Sequence, residues 1–361
     1  MKQALLLTLG ILFVAGVGFG LPSGAAEEKC LPPPNGGAIP AYCERLQVGP
    51  PSRYANLTLY PIFADDVRIP PISLTLDEAM DRKLLEIREL NPAEVNRVLL
   101  MSNAKEPIFI LGGEMLVGAK QDRIAGDDMI VPPGGDLVIP VFCVEHGRWV
   151  AKSGEFGSAA FLATSNVRKA RAATDQGAVW SEVAAAQERL EAPSATGAFR
   201  SVRDSEEVQA RLAPYRRELS DFVKDLGKAR GVVACVGGKI VAADLFGSRA
   251  LFLQLWPKLL DSYAIDALGR DAHGAPPDAV GIKKWLEAAK GARQIAKDTP
   301  GWGDLYELRG DSLFGAALIY DGGVAHMELF PKTGEPKPVP FNRLDFRRDQ
   351  LQEEQREVPQ R

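Results

Sequence analysis

Histidine and cysteine are scarce in this sequence, and the few present are not spaced as metal ligands. The 361 residues include 3 His and 4 Cys, without a His-x-x-x-His or a Cys-x-x-Cys motif. Transition-metal sites are built mainly from these side chains at short, recurring spacings. The adjacent acids Asp65-Asp66 and Asp127-Asp128 are more typical of solvated loops than of calcium sites. The sequence therefore predicts no metal and no cofactor.

Other absences narrow the possible functions further. No Gly-x-Ser-x-Gly pentapeptide occurs, and no Gly-x-x-x-x-Gly-Lys-Ser/Thr phosphate loop is present. The first absence gives no support to a serine hydrolase of the usual kind, and the second gives none to a P-loop enzyme. The formal net charge of -4 offers no basic footprint, so no nucleic-acid partner is predicted.

The first 26 residues have the pattern of a secretory signal peptide. Lys2 supplies the positive charge, the apolar run Ala4–Phe19 follows, and Ser23-Gly24-Ala25-Ala26 offers small residues for cleavage. The alternative is a retained membrane anchor, but the run is short for a span and contains glycines. We therefore expect an exported protein, periplasmic or extracellular, with no membrane span after cleavage.

Export changes the interpretation of the cysteines, because disulfides persist in oxidising compartments. Cys30 and Cys43 flank a segment rich in Pro and Gly, and a disulfide between them would tether it. Cys143 and Cys235 lie in apolar runs, which favours two buried free thiols.

The remaining pattern predicts an α+β fold in one composite domain, with a β-rich N-terminal half, a helical middle and C-terminal hairpins. Residues 27–51 form a Pro/Gly-rich arm, residues 52–335 the domain, and residues 336–361 a charged tail. The β-rich half has short strands at close spacing, which favours antiparallel pairing. Four helices are predicted later in the chain, at Phe161–Leu190, from Asp204, at Phe246–Leu268 and at Val280–Ala296, and the second should kink or split at Pro214. A hairpin is predicted at Gly231–Leu245, and strands at Asp304–Leu308, Leu313–Tyr320 and Val324–Phe330.

The best candidate for a functional site is the stretch Ile108–Trp149. Its apolar runs Ile108–Leu111 and Leu137–Val144 are continuous, as in strands buried on both faces. Charged and polar residues follow both runs, so rigid strands would hold them close together. The candidate ligand-binding residues are Lys120, Gln121, Arg123, Arg148 and Trp149.

Two functions fit this stretch. Lys120, Arg123 and Arg148 would hold a small anionic ligand by charge-assisted hydrogen bonds, or the surface would bind a protein partner. Alternatively, Glu114 and Glu145 each follow a predicted strand and would divide acid and base roles in a hydrolase. A simpler interpretation pairs each glutamate with a nearby cation. Cys143 beside His146 is less suited to nucleophilic catalysis, because sequence neighbours on a strand point to opposite faces. We favour the binding module and leave open whether the protein is an enzyme.

Two motifs suggest a family. Gly113-Glu114-Met115-Leu116-Val117-Gly118-Ala119-Lys120-Gln121-Asp122-Arg123 and Cys143-Val144-Glu145-His146-Gly147-Arg148-Trp149 resemble the paired signatures of the ARG and rhodanese-phosphatase-superfamily-associated protein domain. The resemblance extends over roughly residues 50–330. This family is uncharacterised, and its associations imply only a contextual link to ADP-ribose or phosphorylated ligands.

Overall fold

A computed structural model of the protein describes residues 37–270 and 274–332, which fall within one compact unit. The described residues form an α+β fold, as the sequence predicts. The helices are α1 (Ala38–Arg45), α2 (Leu76–Asp81), α3 (Ser165–Ala172), α4 (Gln176–Arg189), α5 (Arg200–Asp204), α6 (Glu206–Leu219), α7 (Arg249–Ala267) and α8 (Ala279–Glu287).

The strands occur mostly in consecutive runs between these helices. They are β1 (Gln47–Val48), β2 (Ser52–Tyr54), β3 (Leu57–Phe63), β4 (Leu74–Thr75), β5 (Leu85–Glu89), β6 (Arg97–Ser102), β7 (Ile108–Ile110), β8 (Glu114–Gly118), β9 (Arg123–Ala125), β10 (Met129–Val131), β11 (Asp136–Cys143), β12 (Glu155–Leu162), β13 (Ala229–Val236), β14 (Lys239–Phe246), β15 (Arg293–Lys297), β16 (Asp304–Arg309), β17 (Leu313–Tyr320) and β18 (Gly323–Pro331).

Three sheets organise the described residues. The largest has nine strands in the order β1-β3-β13-β14-β18-β17-β16-β15, with β2 paired to β3, and all its pairings are antiparallel. A second sheet closes on itself through β11-β6-β5-β12-β8-β9, and a third has the order β10-β7-β4. The strands of the N-terminal half are therefore not one layer but a closed sheet and a small open one.

Both faces of the nine-stranded sheet are covered by helices. Along β13, Val232 and Ala234 pack into a core that includes residues of α3, α4, α6 and α7. The intervening Val233 and Cys235 pack on the other side with residues of α1 and α8. Because side chains alternate along a strand, both faces of β13 are covered and every one of its residues is buried. A third core fills the closed sheet, with members such as Ile87, Leu100 and Phe156.

The predicted hairpin at Gly231–Leu245 is confirmed. β13 pairs with β14 in antiparallel register, and Gly237 and Gly238 both have positive φ, at 56° and 83°. Glycine adopts this region without a Cβ clash, so the chain can reverse there. The predicted strand Leu313–Tyr320 has the same limits in the structure.

Several predicted elements were wrong. The arm contains α1, whose Ile39, Tyr42 and Cys43 are buried, so its described part belongs to the core. The predicted helix from Phe161 begins at Ser165, because β12 extends to Leu162 and the Thr164 side chain accepts the Val167 backbone N–H as an N-cap.

Two proline- and glycine-containing segments also differ from prediction. Helix α6 continues through Pro214 without a break. The proline removes one backbone hydrogen bond, but Leu212, Tyr215 and Leu219 keep one face of the helix buried. The predicted helix Val280–Ala296 ends at Glu287, after which a 3-10 turn precedes β15. Pairing of β15 with β16 overrides the weak local helix preference there.

The two free-thiol predictions are confirmed, whereas the predicted disulfide is not tested. Cys143 and Cys235 are buried and free, as predicted, and Cys43 is buried with no disulfide partner among the described residues. Cys30 lies outside the described residues, so the predicted Cys30–Cys43 disulfide stays a prediction. The signal peptide at residues 1–26 and the tail at residues 336–361 also lie outside them. Among the described helices, none is long and apolar enough to cross a membrane.

Candidate functional site

Strand pairing brings the two signature stretches together. β8 pairs with β9, and β9 pairs with β11, so that Arg123 lies opposite Cys143. The Gln121-Asp122-Arg123 segment therefore lies at the end of the β8–β9 hairpin, beside the segment that leaves β11. From Ile139 to Cys143, β11 alternates between buried and half-buried positions, and its first residues are exposed or half-buried, which corrects the prediction of a strand buried on both faces.

Glu145 is the centre of the contacts between the two stretches. It accepts hydrogen bonds from Arg148 through Nε at 2.8 Å and Nη2 at 2.5 Å. Thr196 Oγ1 and the backbone N–H of Asp122 donate at 2.7 Å and 3.0 Å. Burial alone raises the pKa of Glu145, but the hydrogen bonds from Arg148 and Thr196 outweigh it and hold the pKa below its usual value. Glu145 is therefore an ionised carboxylate with four donors.

The Arg148 guanidinium is held by hydrogen bonds within the fold. Besides Glu145, its Nη1 donates to the carbonyl oxygens of Ala119 at 2.7 Å and Val150 at 2.8 Å. Nη2 also lies 3.4 Å from Oδ1 of Asp122. Only 7% of the residue is exposed. A ligand would have to break these bonds to reach the guanidinium, so Arg148 positions other groups rather than offering itself to solvent.

Asp122 is a second buried carboxylate in this cluster, with weaker support than Glu145. Its Oδ1 accepts the backbone N–H of Gly118 at 3.0 Å. Its Oδ2 has no hydrogen bond among the described residues and faces Nε of Arg200 at 3.3 Å. Burial raises the pKa of Asp122 and the negative charge of Glu145 raises it further, although the Gly118 N–H and the two arginines act in the opposite direction.

Arg200 is the partly exposed member of the cluster. Its side chain, at the start of α5, is 27% exposed. Within the described part of the chain, Asp122 is the only polar partner of this side chain, through Nε, which leaves Nη1 and Nη2 as available donors. Sequence reasoning missed Arg200, because nothing in the local pattern around α5 indicates that it folds against Asp122.

The other predicted ligand-binding residues lie close to this cluster and are largely used within the fold. Arg123 is fully buried; it donates to Gln121 and lies over the rings of Trp149 and Phe156 at 5.6 Å and 5.9 Å. Gln121 donates to the Glu145 carbonyl at 2.9 Å. Lys120 is half-buried, with its ammonium 4.9 Å from the centre of the Trp149 ring. Trp149 is 4% exposed, so its ring is part of the packing around Lys120 and Arg123.

Glu114 belongs to a different cluster. Its carboxylate is ion-paired with Lys258 and accepts the Leu111 backbone N–H at 2.8 Å. Lys258 also donates to Asp77 at 2.6 Å. Burial raises the pKa of Glu114, against the opposing effect of Lys258. Among the described residues, Glu114 and Glu145 share no hydrogen-bond partner; the carboxylate that lies beside Glu145 is Asp122.

A third group of charges is buried between the sheets. Arg168 pairs with Asp244 and Glu328, and Arg171 pairs with Glu328. The other members, within reach of these ion pairs, are Asp128, Tyr263 and His326. All seven are at most 2% exposed, so the group has a structural role. A sequence signal existed here, because Asp244, His326 and Glu328 are isolated charged or titratable residues inside otherwise apolar strands.

No arrangement of three or more His, Cys, Asp or Glu side chains in residues 37–270 and 274–332 could hold a metal ion. At the cluster of Asp122, Glu145, Arg148 and Arg200, the side chains themselves offer hydrogen bonds, charge and proton transfer.

Comparison with known proteins identifies the family. The sequence matches the ARG and Rhodanese-Phosphatase-superfamily-associated Protein domain over residues 45–330. The chain belongs to this family. Both signature stretches lie inside the match, which begins at the last residue of α1 and ends one residue before the end of β18. No curated protein and no solved structure matches the chain.

Proposed function

We propose that this protein is a binding module for a small anionic ligand. It recognises the ligand through Arg200, which lies beside the cluster of Asp122, Glu145 and Arg148. The observation that supports this is the Arg200 side chain, which is 27% exposed and has Nε 3.3 Å from a buried carboxylate, while neither Nη group has a hydrogen bond among the described residues. A guanidinium in this state matches the two oxygens of a carboxylate or phosphate group.

The surrounding residues give Arg200 a rigid support. Asp122 holds Nε at 3.3 Å, and Arg148 links Asp122 to Glu145. Thr196, four residues before Arg200, is bonded to Glu145, and its carbonyl accepts the Gly147 N–H at 2.8 Å. The segment that carries Arg200 is thus tied to the second signature. Preorganisation of this kind lowers the entropy lost when a ligand binds.

The predicted site residues have different roles in this binding function. Arg200 contacts the anion, and Lys120, whose ammonium lies 4.9 Å from the centre of the Trp149 ring, adds positive charge to this part of the protein. Gln121, Arg123, Arg148 and Trp149 form the framework that fixes the hairpin and the segment after β11. Export of the protein remains part of the proposal and is tested by cell fractionation of the full-length chain against a chain that starts at Glu27.

A thermal-shift screen of the full chain tests the binding function. The compounds are acetate, sulfate, inorganic phosphate, sugar phosphates, nucleotides and ADP-ribose. A ligand that binds only the folded state adds about 2.7 kcal/mol of stability at about 100 times its Kd. We expect at least one anion to raise the Tm of the wild type, and Arg200→Ala to abolish the rise.

Arg203→Ala is the matched control. Arg203 lies on the same short helix, has a partly exposed side chain, and pairs with Asp204 at 3.0 Å, so its removal should leave the ligand shift unchanged. Arg200→Lys, which keeps the charge but loses the planar fork, should bind more weakly than the wild type. Equal shifts in Arg200→Ala and the wild type would contradict the proposal, as would the absence of a shift with every anion.

Hydrolysis is the second candidate. The pKa of Asp122 is raised while that of Glu145 is lowered, and separated pKa values are typical of an acid and a carboxylate that act together. In this form of the hypothesis Asp122 replaces Glu114 as the partner of Glu145. Release of a product from ADP-ribose or a sugar phosphate in the same samples, lost in Asp122→Asn, would support hydrolysis. If the wild type leaves both compounds intact, the hydrolase hypothesis is wrong.

A further inference from the structure

The two carboxylates beside Arg200 have unequal support, and this inequality has a consequence for ligand binding. Glu145 has four hydrogen-bond donors, two of them from Arg148. Asp122 has two hydrogen bonds, both to Oδ1, from the Gly118 backbone at 3.0 Å and from Arg148 Nη2 at 3.4 Å, and its Oδ2 depends on the Arg200 contact at 3.3 Å. Any change in the charge around Arg200 therefore acts mainly on Asp122.

The charged groups that face Asp122 come from two neighbouring segments. Glu145 and Arg148 face it from the segment after β11, and Arg200 faces it from α5. β8 contributes the Gly118 backbone N–H rather than a charge. Two carboxylates and two guanidiniums thus have a formal sum of zero. A bound anion would place three negative charges against two positive ones, in a site where the Asp122 side chain is fully buried.

We infer that binding of an anion to Arg200 is coupled to the uptake of one proton by Asp122. The inference rests on the proposed function, because it requires an anion at Arg200. The proton comes from solvent and adds to Oδ2, the oxygen that has no hydrogen bond among the described residues. Asp122 then becomes neutral, the charge of the cluster returns to zero, and the new O–H can donate to the anion. Glu145 stays ionised, because its four donors favour the charged form.

The burial of Asp122 and the charge of Glu145 both favour this proton uptake. Both raise the pKa of the carboxyl group before any ligand is present. An anion on Arg200 adds negative charge and weakens the Arg200 contact, which raises the pKa further. By linkage, a group whose pKa rises on binding makes the ligand bind more tightly at low pH, by up to about tenfold per pH unit between the two pKa values.

Isothermal titration of the full chain with sulfate, whose own charge is constant over this range, tests the inference. The titration is run at several values between about pH 5 and pH 8, each in two buffers that differ in ionisation enthalpy. We expect sulfate affinity to fall as pH rises, and the difference in heat between the buffers to correspond to about one proton taken up per sulfate bound.

Asp122→Asn identifies the group that takes the proton. The amide oxygen can still accept the Gly118 N–H, and the side chain has the same shape but cannot ionise. We expect this variant to bind sulfate with little pH dependence and no proton uptake. Asp204→Asn, at an exposed carboxylate that pairs with Arg203, should retain the wild-type proton uptake.

The outcomes separate this inference from the proposed function. Loss of sulfate binding in Arg200→Ala, together with pH-independent binding and no proton uptake in the wild type, would preserve the anion site and overturn the coupling. Proton uptake that persists in Asp122→Asn would overturn the assignment to Asp122. If sulfate and the other anions of the screen fail to bind the wild type at all, the anion site itself is wrong.

Discussion

His326 shows how a single buried residue links stability to pH. Its Nδ1 lies 2.7 Å from Asp128 and its Nε2 lies 3.3 Å from Asp244. Burial alone would lower the pKa of His326, but the two carboxylates outweigh it and raise the pKa from 6.5 to about 9. The folded state therefore holds a proton on His326 that the unfolded state releases at a lower pH.

The sign of the pH dependence follows from these two pKa values. A raised pKa stabilises the fold fully below the unfolded value and loses that contribution as pH rises through the folded value. We expect the free energy of unfolding to fall between pH 6.5 and about 9, by roughly 1.4 kcal/mol for each pH unit in this interval. Urea unfolding at several pH values measures it.

The change in slope, and not the absolute stability, is the readout for the variants. His326→Gln should flatten this part of the pH profile, whatever it does to the overall stability. His146→Gln is the control, because His146 is exposed, and it should keep the wild-type profile. An equally steep fall in His326→Gln would assign the pH dependence to another group.

Among the secondary-structure elements, the β17–β18 pair depends on a close approach at Gly315. A Cβ atom added there would lie 1.9 Å from the backbone oxygen of Glu328, far inside van der Waals contact. The two strands would have to separate beside Glu328, whose side chain pairs with Arg168 and Arg171. The glycine is thus required for the strand spacing.

We expect Gly315→Ala to destabilise the protein by about 3 kcal/mol or more, because overpacking against backbone cannot be relieved by a side-chain rotation. Gly157→Ala in β12 is the matched control, since its added Cβ would meet its nearest neighbour at an ordinary 3.8 Å. Chemical unfolding of the two variants measures the difference in their free energies of unfolding. A similar small effect at both positions would show that β17 and β18 can separate at little cost.

Across the whole molecule, the buried ion pairs connect parts of the chain that lie far apart in sequence. Arg168 on α3 pairs with Asp244 on β14 and Glu328 on β18, while Arg171 also donates to the Gly126 carbonyl at 2.7 Å. Gly126 directly follows β9 of the closed sheet. The network therefore connects the nine-stranded sheet to the closed one.

Arg168→Ala tests this connection. Removing one partner leaves Asp244 buried without its main counter-charge, which typically costs about 3–5 kcal/mol. Because the network joins two sheets, we also expect the unfolding curves from tryptophan fluorescence and circular dichroism to separate. Arg97→Ala, which removes an exposed pair with Glu94, should leave a single transition near the wild-type midpoint. Coincident curves in Arg168→Ala would mean that other contacts couple the sheets.

Much of the fold could be predicted because its signals are local. Alternation, apolar runs and turn residues are encoded over a few neighbours, and they predicted the hairpin at Gly237-Gly238 and the strand Leu313–Tyr320. The closed sheet could not be predicted in the same way, because β12 must pair with β5 and β8, and the Arg88–Glu155 contact between β12 and β5 spans 67 residues. No short pattern specifies a partner at that distance.

For the candidate site, the local motifs were enough to establish the family and the proximity of the two signature stretches, since each follows a strand of the β-rich half. Which charges meet depends on how the chain packs. Packing paired Glu114 with Lys258, placed Asp122 beside Glu145, and left Arg200 partly open. It also buried Arg123 and Arg148. A charge is stabilised by the groups that surround it in space, and here those groups come from helices and strands whose mutual packing no local pattern describes.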